Sequence, residues 1–247
     1  MNKKPREGCV SDIHGPCDPE QNHLLASLTA AERGRIYPHL KLVQMPLGEV
    51  VAEPGKVQRD VCFPIDCVIA YSYVMKDGDS TQITAVGNEG LVGGALLAGG
   101  ENTPNRATVQ CPGNAYLLDA KRLKEEFDRG GELQALLLRY TREMVSQIAQ
   151  TAACNLHHRV EQRMCRWLLT YLDRVPSYQL AMTQEVIANM LGVRREGVSL
   201  AAGKLQRLGA ISYARGHITV LDRSELQSES CECYRAASRG RVERLLF

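Results

Sequence analysis

Most of the marks that identify an enzyme, a secreted protein or a membrane protein are missing from this sequence. No run approaches the roughly eighteen apolar residues a membrane span needs. The N-terminal stretch MNKKPREGCVSDIHG has no apolar core of the kind a signal peptide carries, so a cytoplasmic protein is expected. There is no phosphate loop, no Gly-x-Ser-x-Gly, no His-Glu-x-x-His and no evident acid–base pair, so nothing supports catalysis. The nine cysteines include no Cys-x-x-Cys, the spacing that makes a metal or cluster site a strong reading. Without an export signal they are expected as reduced thiols, with Cys62, Cys67 and Cys111 buried as small hydrophobes. Cys9 and Cys17 precede any folded segment, and Cys231 and Cys233 form a Cys-x-Cys pair near the end. No metal and no cofactor is expected.

Net charge is also scarce, at +2, and by itself predicts no polyanion partner. Its distribution is more telling. Residues 155–247 hold fourteen Lys/Arg against nine Asp/Glu, a balance of +5, while residues 1–154 balance at −3. The positive potential lies in the C-terminal part, where phosphate neutralisation would require it if that part binds nucleic acid.

That part contains TQEVIANMLGVRREGVSLAAGKLQRLGAI, residues 183–211, which reads as two short helices joined by a tight turn. Thr183 is a plausible N-cap, and Val186, Ile187 and Met190 recur at helical spacing. Gly192 supplies the positive φ that closes a helix, and Ala188 is small enough for close helix–helix approach. In the second helix Val198, Ala201, Ala202, Leu205 and Leu208 form the buried side, and Arg195, Glu196, Ser199 and Gln206 the opposite face. This is the helix-turn-helix pattern, in which a braced second helix enters a DNA major groove. Arg can donate twice to guanine, and Glu can accept from the cytosine amino group. The alternative is an ordinary αα-hairpin with solvated charges.

Along the chain, residues 1–20 read as a mobile arm and 21–40 as one or two short helices with Thr29 as a cap. A hairpin of β-branched and aromatic residues around Asp77-Gly78 opens a glycine-punctuated antiparallel β unit. From Glu132 a stripe of Leu133, Leu136, Leu137, Tyr140, Met144, Ile148 and Ala152 marks a helix of around 25 residues. Two copies paired as a coiled coil would bury it in a two-fold dimer, and packing against its own β unit is the alternative. The dimer set is Leu133, Leu137, Tyr140, Met144 and Ile148. A break is expected at 155–158, a winged hairpin around Arg215-Gly216, and a last helix from Asp222 with a basic tail. The boundaries are thus 1–20 arm, 21–131 β-roll, 132–157 dimerisation helix and hinge, 158–226 winged helix-turn-helix, and 227–247 tail.

With β-roll, long helix and winged helix-turn-helix in that order, residues 21–225 resemble the cyclic-AMP receptor protein/fumarate-nitrate regulator family of bacterial transcription factors. The most specific matches are Gln184, Ala188, Gly192, Arg195, Val198, Leu205, Gly209 and Ile211. The resemblance implies an α+β fold: an N-terminal antiparallel β-roll like a cyclic-nucleotide-binding domain, a long dimerisation helix and a C-terminal winged helix-turn-helix. It further implies a homodimer on a two-fold symmetric duplex operator, with RNA polymerase as a further partner. The family's base-contacting Arg-Glu pair falls on Arg195 and Glu196, and its phosphate-contacting Thr on Thr183. The expected DNA-binding set is Thr183, Gln184, Arg194, Arg195, Glu196, Ser199, Lys204, Arg215 and His217.

Two departures matter. The family's second arginine is Leu200 here, so a guanine contact is lost or replaced by an apolar one. In the effector region, Asn105 occupies the place of the phosphate-pairing arginine with Arg106 one residue late, and Gly93-Gly94 stands where Gly-Glu is expected. A one-residue shift in a strand reverses the face. Cyclic AMP is therefore not the expected effector, which stays unidentified, with Glu89 and Arg106 as weak candidate contacts. Cys9 and Cys17 do not reproduce the family's iron–sulfur cluster, and none of the six histidines is assignable to haem. The alternative function is a ligand-binding regulatory module whose helix-turn-helix contacts protein only.

Overall fold

The computed structural model describes residues 17–94, 103 and 105–236. The expected arm therefore falls outside the described residues up to 16, as do glycines 99 and 100 and the basic end from 237. Its last residues are not an arm. Asp18 caps a 3-10 turn, Pro19–Gln21, and the Tyr116 hydroxyl donates to the Cys17 carbonyl at 2.8 Å.

Helices α1 (His23–Ala26) and α2 (Ala30–Ile36) follow, each fixed by a polar cap. Buried Asn22 accepts from the Leu24 and Leu25 N–H groups and donates to the Pro64 and Gly90 carbonyls, both at 2.9 Å. Thr29 and Glu32 form the capping box, and the second Glu32 oxygen accepts from Leu133 N–H at 2.9 Å. One buried carboxylate thus ties the N-terminal helices to the start of a helix a hundred residues later.

Among the described residues, seven strands make the roll: β1 (Lys41–Met45), β2 (Val50–Ala52), β3 (Asp60–Pro64), β4 (Val68–Val74), β5 (Ser80–Val86), β6 (Arg106–Cys111) and β7 (Gly113–Asp119). They form two antiparallel sheets, β1-β7-β3 and β2-β6-β4-β5. Inward-facing Met45, Cys62, Cys67, Ile69, Val86, Val92, Ala107, Val109 and Ala115 fill the space between them. The β4–β5 hairpin turns at Asp77-Gly78, where Gly78 takes φ +94°.

Helix α3 (Ala120–Asp128) leads into α4 (Glu132–His157), 26 residues long. The first part of the expected dimer stripe faces inward. Leu133 and Leu137 are buried in the core formed with α1, β3, β7 and α3, and Tyr140 packs against it, donating its hydroxyl to the Leu91 carbonyl at 3.0 Å. The stripe reads true as an apolar face, but its first half faces the protein's own roll. Met144 and Ile148 line a cavity between α4 and the roll. A different α4 face is solvated and apolar: Leu138, Val145, Ala149, Ala152 and Leu156 are exposed, with Leu138 at 57%, Val145 at 62% and Leu156 at 82%.

The chain breaks at His158, whose extended backbone (φ −109°, ψ 148°) separates α4 from α5 (Val160–Leu172). Beyond it come β8 (Gln179–Ala181), α6 (Gln184–Leu191), α7 (Arg195–Arg207), β9 (Ile211–Ala214), β10 (His217–Val220) and α8 (Arg223–Glu229). Trp167, Leu168, Tyr171, Ile187, Val198, Leu205, Ile218 and Leu226 form the core of this unit, which also takes in Val68, Ala85 and Cys111 of the roll. The two halves are joined by polar contacts too. Tyr171 and Trp167 both donate to Gln82 Oε1, at 2.9 and 3.4 Å, and Arg174 makes a buried ion pair with Glu89 at 2.6 Å. The segment from 227 is not merely a tail, since Cys231, Cys233 and Tyr234 are buried.

Candidate nucleic-acid interface

Helix α6 starts where its cap allows: Thr183 is extended, and its Oγ1 accepts from Val186 N–H at 3.3 Å. It stops at Gly192, left-handed with φ 61° and ψ 45°, after which Val193 N–H returns to the Ala188 carbonyl at 3.0 Å. Arg163 on α5 donates to the Leu191 carbonyl, satisfying one of the acceptors a helix end leaves open. The turn delivers the chain to Arg194, the N-cap of α7. Buried Val198, Ala201, Ala202 and Leu205 hold α7 against α5 and α6, leaving Arg194, Arg195, Glu196, Ser199 and Leu200 exposed. Fully burying a Val or Leu side chain is worth about 1.5–3 kcal/mol, so this seating is firm.

The exposed face is organised. The Ser199 hydroxyl donates to Gln184 Oε1 at 2.7 Å, tying the start of α6 to the first turns of α7. Leu200 is 74% exposed beside it, an apolar group amid polar ones. The hairpin β9–β10 turns through Arg215 (φ 50°) and Gly216 (φ 78°), both left-handed as a tight two-residue hairpin requires. It forms the sheet β8-β10-β9, and a Cβ at Gly216 would lie 3.6 Å from Thr183, so the wing tip adjoins the α6 start. Arg215 and His217 are exposed there. Tyr213 of the wing lies within electrostatic reach of Arg195; burial raises its hydroxyl above the ordinary value, and the O–H donates to the Met182 carbonyl at 3.0 Å. Thr183, Gln184, Arg194, Arg195, Glu196, Ser199, Arg215 and His217 therefore belong to the start of α6, the first turns of α7 and the wing.

Lys204 does not share that face. It lies nine residues after Arg195, and at about 100° per residue that is half a revolution. Its ammonium pairs with Glu229 of α8 at 2.6 Å, and that hydrogen bond raises its pKa. Lys204 is thus placed beside α8, apart from the other residues of the expected DNA-binding set.

The effector candidates are placed differently from one another. Glu89 is engaged by Arg174: Nε donates at 2.8 Å, and both side chains are nearly inaccessible. It holds the two halves together and does not line the cavity between α4 and the roll. Arg106 pairs with Glu53 at 2.6 Å and is also absent from that cavity's lining. The cavity, about 340 Å³, lies between α4 and the roll, with Tyr71, Ile83, Leu137, Tyr140, Met144 and Ile148 among its walls. Asn105 lines it, and among the described residues no Lys or Arg does.

One constellation was not anticipated from the sequence. Cys154, His158, Cys231 and Cys233 converge at the α4–α5 break. The only local signal is Cys154-x-x-x-His158 at helical i, i+4 spacing, which carries no link to the distant Cys-x-Cys.

Fold and exposed face together define a winged helix-turn-helix protein carrying a β-roll domain. Residues 162–229 match the family model of the Crp-like helix-turn-helix domain. Those residues are such a domain, and the chain around them has the fold of Crp/Fnr regulators. FixK2 from Bradyrhizobium japonicum is 15% identical with a TM-score of 0.63, covering 78% of this chain and 98% of its own. TTHB099, a CRP-family transcriptional regulator from Thermus thermophilus, is 18% identical with a TM-score of 0.63 over 76% and 96%. The c-di-GMP-responsive global regulator CLP of Xanthomonas campestris is 16% identical with a TM-score of 0.62 over 78% and 100%. No curated protein matches the chain significantly. Among the described residues, no helix is long and apolar enough to cross a membrane.

Proposed function

We propose that the protein is a homodimeric, sequence-specific DNA-binding transcription regulator of the Crp/Fnr type. The observation that carries this is the exposed first half of α7, with Arg194, Arg195, Glu196 and Ser199 presented while Val198 and Leu205 are buried. Groove readout needs that polarity: an anchored helix whose N-terminal side chains are free for base edges. Arg195 would read guanine and Glu196 cytosine. Leu200 would contact a thymine methyl group or leave a position unread. Thr183, Arg215 and His217, flanking the helix, would hold phosphate.

Two-fold assembly is supported by the exposed α4 face. Leu138, Val145, Ala152 and Leu156 are spaced at seven, seven and four residues, the repeat of a coiled-coil seam. Exposure of such a stripe along most of a long helix is what a second copy would cover. RNA polymerase is the expected further partner. The β-roll cavity would take an uncharged or apolar effector, since a phosphodiester there would meet no cationic side chain among the described residues.

Selection of bound sequences from a random duplex pool by the purified protein tests the reading. A two-fold symmetric consensus, with half-sites about 34 Å apart, is the expected result. Binding with no sequence enrichment, or a consensus without symmetry, refutes it.

A further inference from the structure

The elbow between α4 and α5 carries a cluster that the DNA-binding reading does not use. Cys154 lies in the last turns of α4, and His158, four residues on, caps that helix. Residues four apart share one side of a helix. After α8 ends at Glu229 the chain starts a further helical run at 232–236, its first turn marked by Tyr234 N–H donating to the Cys231 carbonyl at 3.1 Å. This brings Cys231 and Cys233 against the pair, from positions 77 and 75 residues away along the chain.

The geometry is that of a ligand set. All four ligand atoms lie within 4.8 Å of one another. Cys154 Sγ is 3.6 Å from Cys231 Sγ, and Cys233 Sγ is 3.7 Å from His158 Nδ1. A tetrahedral zinc site with Zn–S of about 2.3 Å and Zn–N of about 2.0–2.1 Å has S···S edges near ~3.8 Å and S···N edges near ~3.5 Å. A disulfide would instead need about 2.05 Å. The three cysteines are buried at 0, 2 and 8% and form a knot separate from the three larger cores. A second observation is independent of the thiols. His158 Nε2 lies 3.2 Å from Glu232 Oε1, leaving Nδ1 turned toward the sulfurs. An outer carboxylate orienting a histidine in this way is the usual support of a metal ligand.

We propose that Cys154, His158, Cys231 and Cys233 bind one structural zinc ion per protomer. Three thiol protons leave to solvent as three S–Zn bonds form, and neutral imidazole supplies the fourth ligand. The loaded site has a net charge of about −1. Arg163 and Arg166, both within electrostatic reach of these cysteines, offset it. With four protein ligands the site is closed, which makes its role structural. It fastens the end of α4 to the segment following α8, across the elbow between the long helix and the helix-turn-helix. Zinc therefore sets the angle at which α7 is held. This last clause rests on the DNA-binding reading, whereas zinc content is measured without DNA, so the two fail separately.

The test uses the full-length protein purified without chelator. Elemental analysis is expected to give about one zinc per protomer. Exchange with Co²⁺ should produce the intense visible bands and sulfur-to-metal charge transfer of a tetrahedral thiolate site. Cys233→Ser and His158→Ala should lose zinc, while Glu232→Gln should retain it with affinity about 10–100-fold weaker. If the ligand variants fail to fold, chelator treatment of the unsubstituted protein serves instead. Removing zinc should then lower the melting temperature and expose the elbow to protease. The site is refuted if added zinc leaves all three thiols freely titratable, if iron with sulfide is found instead, or if mass spectrometry shows a Cys154–Cys231 disulfide and no metal. Zinc at full occupancy whose removal leaves DNA affinity unchanged refutes the control of α7.

Discussion

The buried Glu89–Arg174 pair offers a quantitative test of how the two halves are held. Glu89 sits in the turn after β5, and Arg174 lies just beyond α5. Arg174 Nε donates to Glu89 at 2.8 Å and its terminal nitrogen lies at 2.6 Å, while its other terminal nitrogen donates to the Thr170 carbonyl at 2.9 Å. Side-chain exposures of 1% and 8% mean that water cannot replace a missing partner. Glu89→Gln keeps the shape but leaves a guanidinium buried without its counter-charge. Breaking a buried pair from one side costs about 3–5 kcal/mol, whereas replacing both partners with apolar groups of similar volume is often neutral. For a chain of this size that is a melting-temperature loss of about 10 °C. The double variant Glu89→Leu/Arg174→Met should recover most of it, giving a coupling energy above about 2 kcal/mol in a double-mutant cycle. Chemical denaturation of the parent, Glu89→Leu, Arg174→Met and the double variant measures this. Single variants within about 0.5 kcal/mol of the parent, or strictly additive effects, would show that the pair does not hold the halves together.

Other consequences are as direct. Arg195→Ala should weaken binding to the selected operator by about 1–3 kcal/mol and relax one base position, whereas Arg215→Ala should lower affinity for all sequences and reduce the salt slope by about one; titrations at several salt concentrations distinguish them. Leu138→Glu with Val145→Glu should yield folded monomers by light scattering, while an unchanged dimer would move the interface elsewhere on the molecule. Burial works to raise the Glu32 carboxyl, but hydrogen bonds from Leu133 and Thr29, with Arg35 nearby, outweigh it and leave the pKa lowered. A depressed folded-state pKa contributes stability present above the ordinary carboxylate value and lost as pH falls through the folded one. Glu32→Gln should therefore flatten the acid limb of the stability profile below about pH 4.5.

Much of the helix-turn-helix unit was legible because its signals are local. Thr183 as a cap, Gly192 as a left-handed stop and Arg215-Gly216 as a tight hairpin each act within a few residues, and each takes the expected conformation. What the sequence hid was always a question of which neighbour a side chain meets. The stripe through Leu133, Leu137 and Tyr140 is periodic whether it faces a second copy or the roll, and only the packing of α1 and β7 decides. Lys204 looked available because its partner, Glu229, lies 25 residues away on α8. Glu89 resembled a ligand contact until Arg174, 85 residues distant, was placed beside it. The cysteine–histidine cluster needs the segment after α8 to pack against the end of α4, a long-range event that no spacing rule anticipates.

The sole tryptophan occupies an unusual vantage point. Trp167 stacks obliquely on Tyr171, ring centres 4.7 Å apart, and its indole N–H reaches Gln82 of the roll. Any motion that parts the helix-turn-helix from β5 breaks that contact and wets a ring now only 5% exposed. The molecule thus carries its own optical gauge: a red-shifted emission would report separation of the halves in real time, with no label attached.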